Sequence, residues 1–448
     1  MNMNFSTLCD KTISCDCGRE HHLGIREIHI ASGALAELPL SLKKQGFARP
    51  FLVYDMNTYA IAGARVERLL TEAGIPFASY IFPDEALVPD EYAIGRLLVR
   101  YNPDRDLMIA VGSGTINDIC RFASYKLRLP YFVVGTAASM DGYASNVTPL
   151  IVGGMKLTYE AQVPSAIFGD LDILKSAPLP MLAAGVADIL GKYSCLMDWK
   201  ASRILTGEYC CPAVMEMVEK TIRDMVLALE HAENCAAETV EKVMTALVFS
   251  GIAMSYIGNS RPASGGEHQM SHYWEMQFLF DGRPALLHGT KVGIATVGML
   301  HMYKRLLSYR PDFAAARERA AGFAMDEWAL RIQNVYGSAA EQVISLEEVA
   351  GKNSAALVLA RLAKMEENWG VLLEAVEKLP SSEAIVSLLA KIGAPWKPET
   401  VGVSDELVRN AVLYAKDLRN RFGLLQIIFD LGLGEEFADE LVDFYHGM

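Results

Sequence analysis

Between residues 27 and 135, short apolar runs alternate with stretches whose apolar positions recur at helical spacing. Residues 27–30, 51–55, 78–82, 107–111 and 131–135 read as strands, and 34–44, 63–73, 91–101 and 117–126 as amphipathic helices. Strands separated by helices are joined by crossovers, so the pattern predicts βαβ units and a mostly parallel sheet. Residues 145–161 are richer in Thr, Val, Gly and Tyr, with a hairpin turn expected at Val152-Gly153-Gly154-Met155. From about Pro180 the texture changes. Residues 181–205, 212–231, 240–256, 291–308 and 404–433 have helical periodicity and few strand signals. The expectation is an α/β domain over 1–178 with a mostly parallel sheet, followed by an all-α domain over 179–448. Residues 338–378 read as helical without recognisable chemistry, and there is no internal repeat.

Composition narrows the class. A chain of 448 residues, 51% hydrophobic and 21% charged, can bury a large core, which sets disorder aside. A formal net charge of -13 argues against nucleic acid, whose phosphates demand a basic face. It leaves a small anionic substrate open, because a site needs only local Lys or Arg. The first thirty residues hold Asp10, Lys11, Asp16, Arg19 and Glu20 without an apolar run of leader length, and stretches such as 292–302 are short for a membrane span. A cytoplasmic protein without membrane attachment is expected. Eight cysteines, some in apolar helical contexts (Cys120, Cys195), suit reduced thiols better than a disulfide framework.

Four segments carry candidate chemistry. Gly112-Ser113-Gly114-Thr115-Ile116 follows an apolar strand and opens a helix, where backbone N–H groups and the helix dipole favour phosphate. A structural turn would look the same. The acidic ribose contact of a Rossmann site lies downstream of its glycines, whereas Asp55 here ends an earlier strand. The second segment runs from Gly135 through Thr136, Ala137, Ala138, Ser139 and Asp141 to Ser145, a small-residue loop after a strand. Such loops line ligand crevices at the carboxyl ends of parallel strands, though Asp141 could simply cap the turn. The third places His268 and His272 four apart on one helix face, with His288 beyond a loop and Arg261 shortly before. Three of the chain's nine histidines in one region suit Zn, Ni or Fe, and a catalytic site wants three protein ligands and an open position. Gln269 stands where a zinc protease would need its Glu. The fourth is Asp188 within an apolar helix, which burial obliges to be paired, hydrogen-bonded or metal-bound. Lys192, one turn on, could be its partner in an ion pair. Cys15, Cys17, His21 and His22 could also supply four zinc ligands, but donors only two apart are less usual and no metal is expected there.

Taken in order, GSGTINDICR, GTAASMDGYAS, GVADILGK, GNSRPASGGEHQMSH, LHGTKVGIAT and RNRFGLLQIIFDLG resemble the sn-glycerol-1-phosphate dehydrogenases, particularly the bacterial AraM-like type. These belong to the dehydroquinate synthase and iron-containing alcohol dehydrogenase superfamily. The resemblance implies a dehydroquinate-synthase-like fold and a homodimer. It implies reduction of dihydroxyacetone phosphate to sn-glycerol 1-phosphate for phospholipid biosynthesis, with NAD(H) or NADP(H) and one zinc or nickel ion. Carried across, it makes Asp188, His268 and His288 the metal ligands. Asp141, Asp188 and His272 would contact substrate, with Asp141 or His272 relaying a proton. Lys192 and Arg261 are expected at the substrate phosphate. Asp55, Gly112 to Ile116, Thr136 to Ser139 and Ser145 would hold the dinucleotide. Three rivals are a dehydroquinate-synthase-type cyclase that recycles its NAD, a polyol dehydrogenase acting on unphosphorylated glycerol, and a catalytically silent dinucleotide sensor.

Overall fold

The computed structural model describes residues 4–153, 155–231 and 236–448. Its strands are β1 (Thr12–Ser14), β2 (Glu20–His22), β3 (Glu27–Ala31), β4 (Pro50–Asp55), β5 (Ala78–Phe82), β6 (Leu107–Gly112), β7 (Tyr131–Gly135), β8 (Val147–Val152), β9 (Met155–Glu160) and β10 (Ala166–Asp170). Six form one parallel sheet in the order β3-β10-β7-β6-β4-β5. Crossovers run through α1 (Leu38–Gln45), α2 (Ala64–Glu72), α3 (Glu91–Arg100) and α4 (Gly114–Leu127). The strands and helices expected over 27–135 all form. β10 was not anticipated: its apolar run Ala166-Ile167-Phe168 is brief and Gly169 interrupts it, yet it pairs with β3 and β7 on either side.

Alternation along the strands decides which residues meet the core. Leu52 and Tyr54, Leu107, Ile109 and Val111, Phe132 and Val134, and Phe168 join Leu38, Leu42, Val66 and Leu70 of α1 and α2 in one buried cluster. The alternate residues Phe51, Val53, Met108, Ala110, Tyr131 and Val133 are buried as well. Both faces are therefore covered, as a parallel sheet requires. Strand order reverses between β4 and β6: β4 neighbours β5 on one side and β6 on the other. The carboxyl ends beside this switch are Asp55 and Gly112.

β8 and β9 make the expected antiparallel hairpin, with Gly153 at φ 59°; Gly154 of the anticipated turn lies outside the described residues. From Leu179 onward the chain is helical. The helices used below are α5 (Leu179–Leu190), α6 (Lys192–Thr206), α7 (Pro212–Glu230), α8 (Ala236–Ile257), α9 (Gly266–Phe280), α10 (His288–Leu306), α11 (Ala355–Glu377) and α12 (Leu424–Leu431). Two expected elements differ. The helix read over 181–205 is divided at Gly191, and that over 404–433 ends at Tyr414 and gives way to the 3-10 turn Ala415–Leu418 before α12. Leu179–Thr206 and Ala237–Ile257 are apolar and long enough to cross a membrane, a length the sequence reading overlooked, but 72% of each apolar window is buried in the fold.

The chain forms two compact units. One comprises Met1–Ile189 with Cys211–Ala263, the other Leu190–Cys210 with Ser264–Met448. The boundary expected after residue 178 is displaced, because α5, α7 and α8 belong with the sheet. α7 and α8 pack on one another, and α8 packs on the short 3-10 turn Gly142–Ala144 that follows β7.

Candidate active site

In the sheet unit, candidate side chains follow the carboxyl ends of strands. Asp55 ends β4 and caps the helical turn Met56–Thr58: its Oδ1 accepts from Thr58 N–H at 2.8 Å, and Thr58 Oγ1 accepts from Asp55 N–H at 3.0 Å. Asp55 thus caps this turn together with Thr58, with one carboxylate oxygen engaged. Gly112 ends β6 in a close approach, since a Cβ there would stand 2.7 Å from Ile116 Cβ. Ser113 precedes α4 without capping it through its side chain. Its hydroxyl instead lies 2.6 Å from Ser139 Oγ, joining the Gly112–Ile116 turn to the Thr136–Ser139 loop.

That loop is held from below by neutral groups. Tyr143 OH donates to Ala137 O at 2.6 Å and to Ser113 Oγ at 3.3 Å, and burial pushes its phenol up to about 12. Ser145 Oγ donates to Val147 O at 3.0 Å, fixing the start of β8. Two helices press on the loop where they carry glycine. A Cβ on Gly185 of α5 would fall 2.0 Å from Ala138 O, and one on Gly251 of α8 would meet Ala144 at 2.8 Å. Asp141 lies between them: its N–H donates to Asp188 Oδ2 at 3.0 Å, and its Oδ2 accepts from Ser250 Oγ at 2.9 Å. Asp188, fully buried, is therefore hydrogen-bonded as its burial demands.

Sequence reading missed the ion pair beneath this loop. Arg121 is fully buried and donates to Asp118 Oδ1 and Val147 O at 3.0 Å, to Tyr131 OH at 3.1 Å and to Gly142 O. Burial drives the Asp118 carboxyl above its ordinary range despite the opposing Arg121 charge. Both residues sit within the DICR segment, but nothing in a helical pattern distinguishes an inward Arg from a solvated one. Arg261 also belongs to this unit and is buried, its N–H donating to Asn259 Oδ1 at 2.9 Å.

The helical unit presents the histidines. The rings of His268 and His272 on α9 and His288, the first residue of α10, gather with centroids 5.1 Å (268 to 288), 6.3 Å (268 to 272) and 6.0 Å (272 to 288) apart. Glu267, fully buried and also missed, holds the first of them: His268 Nδ1 lies 2.7 Å from Glu267 Oε1. Gly265 N–H and Ser194 Oγ donate to the same carboxylate, each at 2.7 Å. Burial alone would raise the Glu267 carboxyl, but these donors outweigh it and hold it below the ordinary range. A carboxylate accepting from Nδ1–H leaves Nε2 with its lone pair, the tautomer a metal ligand needs. His272 Nδ1 stands 3.7 Å from Glu275 Oε2, which Lys291 Nζ approaches at 3.2 Å.

The glycines before the histidines have a steric reason. Asp198 of α6 accepts from Gly266 N–H at 2.6 Å, from Leu424 N–H at 2.8 Å and from Tyr303 OH. A Cβ at Gly265 or Gly423 would lie 2.7 or 2.5 Å from that carboxyl group, and one at Gly266 would meet Met299 at 2.4 Å. Lys192 begins α6, fully buried, with Gly191 between it and α5.

A family model for iron-containing alcohol dehydrogenases matches residues 29–178. A glycerol-1-phosphate dehydrogenase [NAD(P)+] of Halalkalibacterium halodurans is 35% identical over 92% of this chain and 94% of its own length. The chain belongs to the glycerol-1-phosphate dehydrogenase family. A member from Pyrococcus furiosus is 36% identical over 62% of this chain and 78% of its own. The fold is shared more widely: a glycerol dehydrogenase from Schizosaccharomyces pombe superposes with a TM-score of 0.59 at 16% identity, over 94% of this chain and 91% of the other. Gathered imidazoles with a buried carboxylate behind one of them are donors suited to a divalent metal ion. The glycine turn opening α4, whose first residue lacks a side-chain cap, suits a dinucleotide phosphate.

Proposed function

We propose that this chain reduces dihydroxyacetone phosphate to sn-glycerol 1-phosphate, reversibly, using NADH or NADPH and one divalent ion, zinc or nickel, held by Asp188, His268 and His288. The observation that carries the reading is the histidine cluster with Glu267 fixed behind His268, in a chain that matches a glycerol-1-phosphate dehydrogenase over nearly its whole length. When bound, the ion polarises the substrate carbonyl and the nicotinamide supplies hydride. Every other task falls to the chain. The amides opening α4 receive the dinucleotide phosphates, and Thr136 to Ser139 with Ser145 line its path along the strand ends. Asp55, with one oxygen committed to its cap, offers the other to the adenosine ribose. Lys192 and Arg261 bind the substrate phosphate, a mobile point charge and a planar fork respectively. His272 gives the product oxygen its proton, and Asp141 orients the substrate hydroxyl. A cytoplasmic homodimer completes the reading, its assembly measurable by sedimentation.

NADH oxidation after metal reconstitution, with dihydroxyacetone phosphate and separately with dihydroxyacetone, tests the proposal. Consumption of NADH with the phosphorylated substrate is expected. A preference for the unphosphorylated ketone would make the enzyme a polyol dehydrogenase. Absence of net oxidation of NADH and of NADPH with either ketone would reject the reduction altogether.

A further inference from the structure

The hairpin β1–β2 and the start of α7 bring four soft donors together in the sheet unit. Cys15 and Cys17 lie in the turn of the hairpin, His21 in β2, and Cys211 is the residue before α7. Cys15 Sγ is 3.6 Å from Cys211 Sγ, while His21 Nε2 is 3.4 Å from both Cys17 Sγ and Cys211 Sγ. All four donor atoms lie within 4.8 Å of one another. His22, which the sequence offered as the fourth donor, is not among them; its Nδ1 is 3.1 Å from Thr12 Oγ1.

Tetrahedral zinc with Zn–S near 2.3 Å and Zn–N near 2.0 Å has S···S edges of about 3.8 Å and S···N edges of about 3.5 Å. The three short separations match those edges. The histidine is also prepared: His21 Nδ1 is 3.1 Å from Tyr256 O, an acceptor with no proton of its own. Nδ1 must carry the hydrogen, so Nε2, the atom beside the thiols, holds the lone pair. His21 and Cys211 are buried, whereas Cys15 and Cys17 are partly exposed, which gives an ion a way in.

We infer that Cys15, Cys17, His21 and Cys211 form a second metal centre, a closed Cys3His site for structural zinc. Filling it releases three thiol protons to solvent and leaves no position for substrate. Its location explains its use. Cys211 is the first residue of the segment that returns to the sheet unit after Leu190–Cys210, and an ion there pins that return to the N-terminal hairpin. β1 and β2 hold only a short ladder with exposed outer positions, too little to secure themselves.

The test uses the full-length His268→Ala chain, purified reduced and without chelator, so that metal at the histidine cluster does not contribute. One zinc per chain should survive dialysis, and replacement by cobalt(II) should give thiolate-to-cobalt charge-transfer absorption. Cys15→Ser with Cys211→Ser should abolish both and lower the melting temperature. Should that pair not fold, Cys17→Ser, which keeps three donors, should weaken zinc retention at least tenfold. Cobalt-loaded wild type showing no thiolate absorption would overturn the site. So would a mass two hydrogen atoms light with a Cys15–Cys211 peptide, which would make the cluster a disulfide. Neither outcome bears on the dehydrogenase reading, whose assay is separate.

Discussion

His21 and His268 are held alike and kept in different company. Each is hydrogen-bonded through Nδ1, His21 by a backbone carbonyl and His268 by the buried carboxylate of Glu267. Around His21 stand three thiols that complete a four-donor shell; around His268 stand two further imidazoles. A closed thiolate shell suits an ion that holds chain segments together, whereas an open shell of harder donors leaves room for a reacting oxygen. The holder differs with the task. A neutral carbonyl fixes a ring, while a carboxylate also raises the basicity of the ligand and answers the charge of the ion. Removing donors from the two clusters should therefore fail in different ways.

The sharpest contrast comes from His268→Ala. It should lower kcat/KM for dihydroxyacetone phosphate on the order of a thousandfold, about 4 kcal/mol of transition-state stabilisation, with little change in melting temperature. A large loss of thermal stability with activity retained would erase the distinction between the clusters. Next in size is Glu267→Gln. It should weaken metal affinity roughly 10- to 100-fold, with kcat largely recovered at saturating metal and a better recovery in Glu267→Asp. Equal metal affinity in wild type and Glu267→Gln would leave the carboxylate only a packing role. Lys192→Ala and Arg261→Ala should each raise KM for the phosphorylated ketone about tenfold or more, as loss of a charge-assisted contact predicts, and leave the cofactor KM alone. Unchanged substrate KM in both would move the phosphate elsewhere. Smallest is Asp55→Ser, which keeps a capping oxygen. The Asp55 carboxylate should make wild type prefer NADH, and the substitution should narrow that preference over NADPH about fivefold, mainly through better use of NADPH, by removing a charge from beside the 2′-phosphate. A constant ratio of kcat/KM values would confine Asp55 to its turn.

What could be read in the sequence followed from how local its cause was. β4, β6 and β7 announce themselves as apolar runs because both sheet faces are buried, and the loops after them keep their chemistry in consecutive residues. His268 and His272 share a helix face by spacing alone. β10 was hidden by brevity, and Glu267 by standing next to a more conspicuous neighbour. Cys211 could not be paired with Cys15 at all, since only the folded chain brings α7 to the hairpin. The same applies to α7 and α8, whose amphipathic patterns state that a face is buried without stating against what.

The carboxylate of Asp198 has a consequence for how the helical unit opens. It accepts from the first amide of α9 and the first amide of α12, helices far apart in sequence. Both caps rest on one side chain, each on its own carboxylate oxygen, so a movement of Asp198 releases the two termini together. Hydrogen exchange should find the Gly266 and Leu424 amides opening with a common free energy, as one cooperative block. A deletion reaching α12 would then loosen the histidine helix while leaving every histidine in the chain.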